Sequence, residues 1–143
     1  PHVSPDITLD TLGKPFFVAR EGDIDKESRE KWGDKIVIFP PGQPPREYVD
    51  LLAGGLEMAR RALTAGDYDL IVLDEINVAM HYDLLATADV LAALRGKKDG
   101  VEVVLTGRNA PAEIIEYADL VTEMREVKHY YEQGINARRG IES

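Results

Sequence analysis

Apolar residues recur at three- and four-residue steps between Glu47 and Ala65, which predicts an amphipathic helix. Its apolar stripe consists of Tyr48, Leu51, Leu52, Gly55, Leu56, Ala59, Ala62 and Leu63. Gly66 stands where a C-terminal glycine cap belongs. Gly54 and Gly55 each cost the helix about 1 kcal/mol relative to alanine. This pair either permits close packing or weakens the helix.

Short apolar runs rich in β-branched and aromatic residues predict strands. We expect strands at Val3–Leu9, Lys35–Phe39, Leu70–Leu73, Val101–Leu105 and Leu120–Met124. Leu70–Leu73 is apolar on both faces, which is typical of the middle of a parallel sheet.

Further helices are predicted at Thr87–Leu94, with Gly96 after it, and from a cap at Asn109 through Tyr117, with Pro111 in the first turn. Gly13–Phe17 is expected to form a turn. Ala19–Asp34 is charged and is expected to be a solvated loop with one helical turn. Pro40–Pro45 is predicted to be a stiff, extended surface loop.

The alternation of strands and helices predicts an α/β fold with a mostly parallel sheet and right-handed crossovers. A chain of 143 residues is long enough for one domain with a real core, so residues 1–143 are expected to form a single domain. The first residue is Pro rather than Met, so we expect a processed, trimmed or fragmentary chain.

Composition excludes several classes of function. The net charge of −9 argues against general binding to nucleic acid or to anionic membranes. The absence of cysteine excludes disulfides, thiolate metal sites and cysteine nucleophiles. No signal peptide or membrane span is recognisable, and we expect a cytoplasmic protein.

Polar residues follow two of the predicted strands. Asp74 and Glu75 come directly after Leu73, and Thr106, Gly107 and Arg108 follow Leu105. Because ligands bind beyond the carboxyl ends of strands in open parallel sheets, both groups are expected at the ligand-binding edge. Adjacent carboxylates suit Mg²⁺, although they also occur as turn formers or helix caps. The second group forms either a phosphate- or ribose-binding turn or a tight turn with a surface arginine.

The C-terminal end is locally basic. From Arg125 to Arg139 there are four Lys or Arg residues against two Glu. Lys128 and His129 are candidates for contact with phosphate or ribose, whereas a lone histidine is also commonly structural or exposed.

Four segments in combination resemble the P-loop-fold corrinoid (ATP:cob(I)alamin) adenosyltransferases, roughly from Tyr68 onward. They are Tyr68–Asn77, Leu105–Pro111, the pair Ala118–Arg125 and Val127–His129, and Gly134–Glu142. The resemblance implies a three-layer, mostly parallel sheet of P-loop NTPase (RecA-like) type.

The resemblance also implies transfer of the 5′-deoxyadenosyl group from ATP to the cobalt(I) of a corrinoid (cob(I)alamin or cobinamide), with release of triphosphate. It gives Asp74 and Glu75 the Mg²⁺ and catalytic roles. The residues that would contact the bound nucleotide or corrinoid are Thr106, Gly107, Arg108, Asn109, Lys128 and His129. The implied partners are these small molecules, an electron-donating reductase or flavoprotein and, because an incomplete sheet edge invites pairing, a second copy in a homodimer.

The chain departs from the family in two places. No G-x-x-x-x-G-K-[ST] loop occurs, so we expect an N-terminally truncated chain without the strand, phosphate loop and helix of the family. Gly13–Phe17 matches the family's aromatic corrin-contacting stretch only loosely, at Phe16 and Phe17. Two alternatives therefore stay open: a non-catalytic corrinoid- or nucleotide-binding module, and another P-loop-like hydrolase or kinase.

Overall fold

The computed structural model describes residues 4, 6–14, 17–135 and 138. Its strands are β1 (Phe17–Arg20), β2 (Ile36–Phe39), β3 (Leu70–Leu73) and β4 (Glu102–Leu105). Its α-helices are α1 (Lys26–Trp32), α2 (Arg46–Ala65), α3 (Ile76–His81), α4 (Thr87–Arg95) and α5 (Ala112–Tyr117). Short 3₁₀ turns cover Gly33–Lys35 and Tyr130–Gln133.

The strands pair in parallel, as predicted, but in two separate sheets. β1 pairs with β2, and β3 pairs with β4. In the second pair Leu73 lies opposite Leu105, so both strands end at the same edge. The α/β class with parallel strands is therefore confirmed, while the described residues do not form one continuous sheet.

Helix α2 confirms the predicted amphipathic segment. Leu56 and Leu63 on its apolar stripe are buried, and Gly66 closes the helix in the left-handed conformation, with φ of 71°. Gly55 is also buried, and a Cβ at this position would lie 2.5 Å from Leu12 Cδ1. This glycine therefore permits the close approach of the N-terminal segment, whereas a Cβ at Gly54 would meet nothing within 4 Å.

The main core lies between α2, α4 and the inner face of the β3–β4 sheet. Leu63 and Val90 are fully buried at its centre. The inward side chains of the two strands pack against this core; they are Ile71, Leu73, Val103 and Leu105. Burial of this apolar surface at about 25 cal/mol per Å² is the main force that holds β3 and β4 against the helices.

The outer face of the same sheet is not covered by the described residues. Leu70 is 54% exposed, Val72 53% and Val104 43%. The prediction that Leu70–Leu73 is buried on both faces is therefore wrong for this structure, because α2, α4 and α5 all pack on one side.

Two further strand predictions are also wrong. Leu120–Met124 has no regular secondary structure and no strand partner among the described residues, and Leu120 is 84% exposed. A strand needs a neighbouring strand to pair its backbone, and none is adjacent in the described part of the chain. Within Val3–Leu9, only an isolated bridge between Ser4 and Ile7 forms; residues 3 and 5 lie outside the described residues.

The charged N-terminal segment is more regular than its composition predicted. Ala19 and Arg20 belong to β1, and α1 begins at a cap where the Asp25 carboxylate accepts from the Ser28 N–H at 2.7 Å. The predicted cap at Asn109 is wrong, because α5 begins after Pro111 and Asn109 has a φ of 61°. No described helix has the combination of length and apolar content that crossing a bilayer requires.

Candidate active site at the ends of two parallel strands

The hydroxyl of Thr106 joins the carboxyl ends of β3 and β4. It donates to Asp74 Oδ1 at 2.6 Å and accepts from the Glu75 N–H at 2.8 Å. The Thr106 N–H donates to the Leu73 carbonyl at 3.2 Å and extends the sheet pairing to this residue. The predicted meeting of the two strand ends is therefore present in the structure, with Thr106 as the link.

Glu75 adopts the left-handed conformation, with φ of 58° and ψ of 17°. For a residue with a Cβ this conformation costs about 1 to 2 kcal/mol. Glu75 occupies the cap position of α3, yet its side chain makes no capping hydrogen bond. The carboxylate is exposed, so the helix-cap interpretation of this acid is not supported by its contacts.

Asn77 holds the turn that follows β4. Its backbone N–H donates to the Thr106 carbonyl at 3.1 Å, and its side-chain amide donates to the Gly107 carbonyl at 3.4 Å. Asn77 is 6% exposed, and its buried Oδ1 has no hydrogen-bond partner in the described structure. Sequence reasoning did not assign it a role; its position three residues after Asp74 was the available signal.

Gly107 makes the close packing of this turn against α3 possible. Its φ is 112°, and a Cβ would lie 3.2 Å from Val78 Cγ2 and 3.3 Å from Asn77 Cβ. Glycine adopts such a conformation without the steric cost of a side chain. The backbone at Gly107 therefore lies close to α3.

The donor set at the strand ends has the chemistry that a hard cation prefers. Asp74 and Glu75 are exposed and place two carboxylates beside a hydroxyl. Mg²⁺ commonly takes one or two carboxylates and completes its shell with water and phosphate oxygens. No group of three or more His, Cys, Asp or Glu side chains is assembled for a metal among the described residues. The described donors at the strand ends are thus two carboxylates and one hydroxyl, which fit part of the coordination shell of Mg²⁺.

A polar cavity of about 350 Å³ lies next to these strand ends. Its described lining consists of Asp23, Val78, His81, Tyr82, Arg108 and Asn109. The cavity brings together the turn after β1, helix α3 and the turn after β4. Arg108 and Asn109 were predicted as ligand contacts, whereas Asp23, His81 and Tyr82 were not.

Arg20 supports this cavity from β1. Its Nη2 donates to the His81 carbonyl at 2.5 Å, and its guanidinium lies 5.2 Å from the centre of the Tyr82 ring. Its Nε lies 3.5 Å from Asp23 Oδ2, an ion pair without a hydrogen bond. Arg20 lies on β1, and its partners lie in the turn after β1 and at the C-terminal end of α3, so the arginine connects β1 to α3.

The remaining predicted residues lie elsewhere. Lys128 and His129 are in the segment that precedes the last 3₁₀ turn, and neither is among the described residues that line the cavity. The His129 ring packs against Tyr130 at 4.6 Å. Phe17 packs edge-on against Trp32 at 4.5 Å; Phe16 lies outside the described residues.

Comparison with known proteins covers most of the chain. The model of the family described as ATP:corrinoid adenosyltransferase BtuR/CobO/CobP matches residues 24–143. This range includes Asp74, Glu75 and Thr106, and it extends the resemblance well upstream of Tyr68.

Individual relatives match over a shorter stretch. A corrinoid adenosyltransferase of Sinorhizobium sp. is 44% identical over 87 residues, which are 60% of this chain and 41% of the relative. The corrinoid adenosyltransferase of Pseudomonas aeruginosa is 42% identical over 86 residues, 60% of this chain and 42% of the relative. That of Escherichia coli (strain K12) is 37% identical over 84 residues, 59% of this chain and 43% of the relative. The chain spans less than half the length of these curated relatives.

Proposed function

The chain belongs to the ATP:corrinoid adenosyltransferase family, and we propose that the protein transfers the 5′-deoxyadenosyl group of ATP to the cobalt of a corrinoid. The observation that carries this proposal is the hydrogen-bonded group at the strand ends, in which the Thr106 hydroxyl joins Asp74 to the Glu75 backbone. This group lies inside the matched range and provides oxygen donors for a nucleotide-bound cation.

The reaction is a displacement at the ribose 5′ carbon. The cobalt(I) centre of the corrinoid supplies an electron pair to this carbon, and a cobalt–carbon bond forms as cobalt becomes formally cobalt(III). The bond from the 5′ carbon to the triphosphate oxygen breaks, and triphosphate leaves with that electron pair. The protein has to orient the two substrates and stabilise the charge of the leaving group.

Asp74 and Glu75 are the proposed Mg²⁺ ligands and catalytic residues. When bound there, Mg²⁺ would neutralise charge on the triphosphate. The Thr106 hydroxyl orients Asp74 and leaves its second carboxylate oxygen free of this hydrogen bond. Gly107, Arg108 and Asn109 are proposed to line the bound nucleotide or corrinoid beside this group.

Lys128 and His129 are assigned to substrate contact by family resemblance alone. Because neither lines the cavity in the described structure, a role for them requires the segment around residue 128 to approach the strand ends. Lys128 and His129 are therefore secondary candidates for substitution.

The whole protein is proposed to have a three-layer, RecA-like sheet within a single α/β domain. The exposed apolar side chains of Leu70, Val72 and Val104 support this part of the proposal, because such a face is normally covered in a parallel sheet. A homodimer, an electron-donating reductase or flavoprotein and a cytoplasmic location complete the proposal.

The function is tested by turnover without oxygen. The protein from its native cells is supplied with MgATP and chemically reduced cob(I)alamin, and adenosylcobalamin and triphosphate are quantified. Equal amounts of both products are expected. Formation of neither product, in a preparation that melts cooperatively, would overturn the proposal.

Two acid variants tie the reaction to the strand ends. Asp74→Asn and Glu75→Gln should each lower kcat by roughly 100-fold or more, the usual scale for loss of one charge-stabilising group. Asp50→Asn, on the exposed side of α2, is the matched control and should keep the wild-type rate. If the site variants melted early but retained their rate when folded, the two acids would be structural.

A non-catalytic binding module is the second candidate function. It is the alternative for a protein that binds a corrinoid or a nucleotide without transferring the adenosyl group. Tight corrinoid binding without ATP binding would support this candidate, whereas turnover would exclude it.

A further inference from the structure

We infer that the cavity between the β1 turn, α3 and the β4–α5 turn binds an anionic group of the substrate, a phosphate or a carboxylate. This inference rests on the proposed function for the identity of the substrates. The evidence for anion binding is separate and comes from the charges and contacts around the cavity.

Arg108 is an unpaired cation among the described residues that line the cavity. It is exposed, and no ion pair or hydrogen bond of its side chain is present in the described part of the chain. In a protein with a net charge of −9, an arginine beside a polar cavity can readily find a carboxylate partner. Arg108 instead remains available to a ligand, and its planar guanidinium suits two oxygens of one anion.

Arg20 removes the negative charge that would oppose an anion. Its Nε lies 3.5 Å from the Asp23 carboxylate, and its Nη2 donates to the His81 carbonyl at 2.5 Å. Asp23 is the carboxylate among the described lining residues, and the His81 carbonyl is an acceptor at the end of α3. Among the described residues that line the cavity, Asp23 is thus a carboxylate paired with Arg20, Arg108 supplies a guanidinium, and Asn109 and Tyr82 supply neutral donors.

The size and place of the cavity fit a substrate group. About 350 Å³ is within the usual range of roughly 300 to 1,000 Å³ for small-molecule sites. The cavity extends along α3, whose six residues rise about 9 Å. An anion near His81 therefore lies about one short helix away from Asp74 and Glu75. A polyphosphate or a charged group at the periphery of the corrinoid could span this distance.

Part of the cavity lies outside the family match. Arg20 and Asp23 precede residue 24, where the match begins. This site therefore differs from the strand-end group, which lies wholly within the matched range, and it is a candidate determinant of substrate preference in this protein.

Binding is measured by titration calorimetry with inorganic tripolyphosphate, at constant ionic strength because surface charge effects extend over about 8 Å at physiological salt. Arg108→Gln should weaken binding by about tenfold, the scale of one hydrogen-bonded charge. Arg46→Gln is the matched control: it also removes one positive charge, from a side chain that is 93% exposed at the start of α2, and should change the dissociation constant less than twofold.

A variant of opposite sign strengthens the test. Asp23→Asn should tighten anion binding by a few fold, because Arg20 loses its carboxylate partner beside the cavity. Asp50→Asn removes the same charge from an exposed position on α2 that is outside the described cavity lining, and should have no such effect. Equal changes at Asp23 and Asp50 would show a general effect of net charge and would overturn the inference.

Two corrinoid probes distinguish the sources of the anion. Hydroxocobalamin carries a phosphodiester in its nucleotide loop, whereas cobinamide lacks it. If Arg108→Gln weakens the binding of tripolyphosphate alone, the cavity binds the nucleotide's phosphates. If the variant weakens the binding of hydroxocobalamin alone, the cavity binds the corrinoid's phosphate. If Arg108→Gln and Arg46→Gln change the dissociation constant equally for every probe, Arg108 is a solvated surface residue and the inference fails. Turnover by the wild-type protein is scored independently, so failure here does not imply failure of the proposed function.

Discussion

The Thr106 hydroxyl lies 2.6 Å from Asp74 Oδ1 and donates a hydrogen bond to it. These residues follow neighbouring parallel strands and are 32 positions apart in the chain. The same oxygen accepts from the Glu75 N–H, so one side chain fixes the carboxylate of one acid and the backbone of the next.

Replacement of Thr106 tests this relationship. Thr106→Val removes both hydrogen bonds at nearly constant volume. Because each bond contributes about 0.5 to 1.5 kcal/mol, the variant should lower the free energy of unfolding by about 1 to 3 kcal/mol and kcat by at least tenfold. Thr106→Ser keeps the hydroxyl and should remain close to wild type in both respects. Urea unfolding and the adenosylation assay measure the two effects. A serine variant as impaired as the valine variant would assign the role to the methyl group instead.

Glycine at position 75 separates backbone strain from carboxylate chemistry. Glu75→Gly relieves a left-handed conformation worth about 1 to 2 kcal/mol and adds chain entropy worth about 0.5 to 1 kcal/mol to the unfolded state. The free energy of unfolding should therefore stay unchanged or rise by up to about 1.5 kcal/mol, while turnover is lost. Asp83→Gly, at another residue with φ of 58°, is the control that should keep turnover. A Glu75→Gly variant with a strongly reduced free energy of unfolding would contradict the backbone strain inferred at Glu75.

Alanine at position 107 should disturb the turn after β4. The new Cβ would meet Val78 and Asn77 at 3.2 to 3.3 Å with φ of 112°, and unfavourable backbone of this kind costs about 1 to 3 kcal/mol. Gly54→Ala is the control, because its Cβ meets nothing within 4 Å in α2 and should stabilise the helix by about 0.5 to 1 kcal/mol. Thermal unfolding of both variants should show shifts of opposite sign.

Core and surface leucines provide a test of the packing. Leu63→Ala should lower the free energy of unfolding by about 2 to 5 kcal/mol, because Leu63 is fully buried. Leu120 is 84% exposed, so Leu120→Ala should change the free energy of unfolding by less than about 0.5 kcal/mol. A larger effect at Leu120 would mean that this segment packs as a strand in the whole protein.

Local patterns predicted the elements that have a strong period or a distinctive end. The apolar stripe of α2 and its cap at Gly66 were both correct, as were β3, α4 and β4. Helix α3 was missed, since Ile76–His81 is six residues long and has no side-chain cap. Leu120–Met124 was predicted from strand propensity, which does not specify a pairing partner.

The sequence by itself determined where the main helix and strands lie, and that Asp74, Glu75 and Thr106 share a sheet edge. The period of apolar residues and the parallel geometry of strands are enough for this, because both are local rules. Tertiary structure decided that Thr106 bonds to Asp74 and that Arg20 reaches His81 across 61 residues. It also decided that Leu70 and Val72 face outward. Such contacts depend on how separate elements pack together, and no local pattern of residues specifies that arrangement.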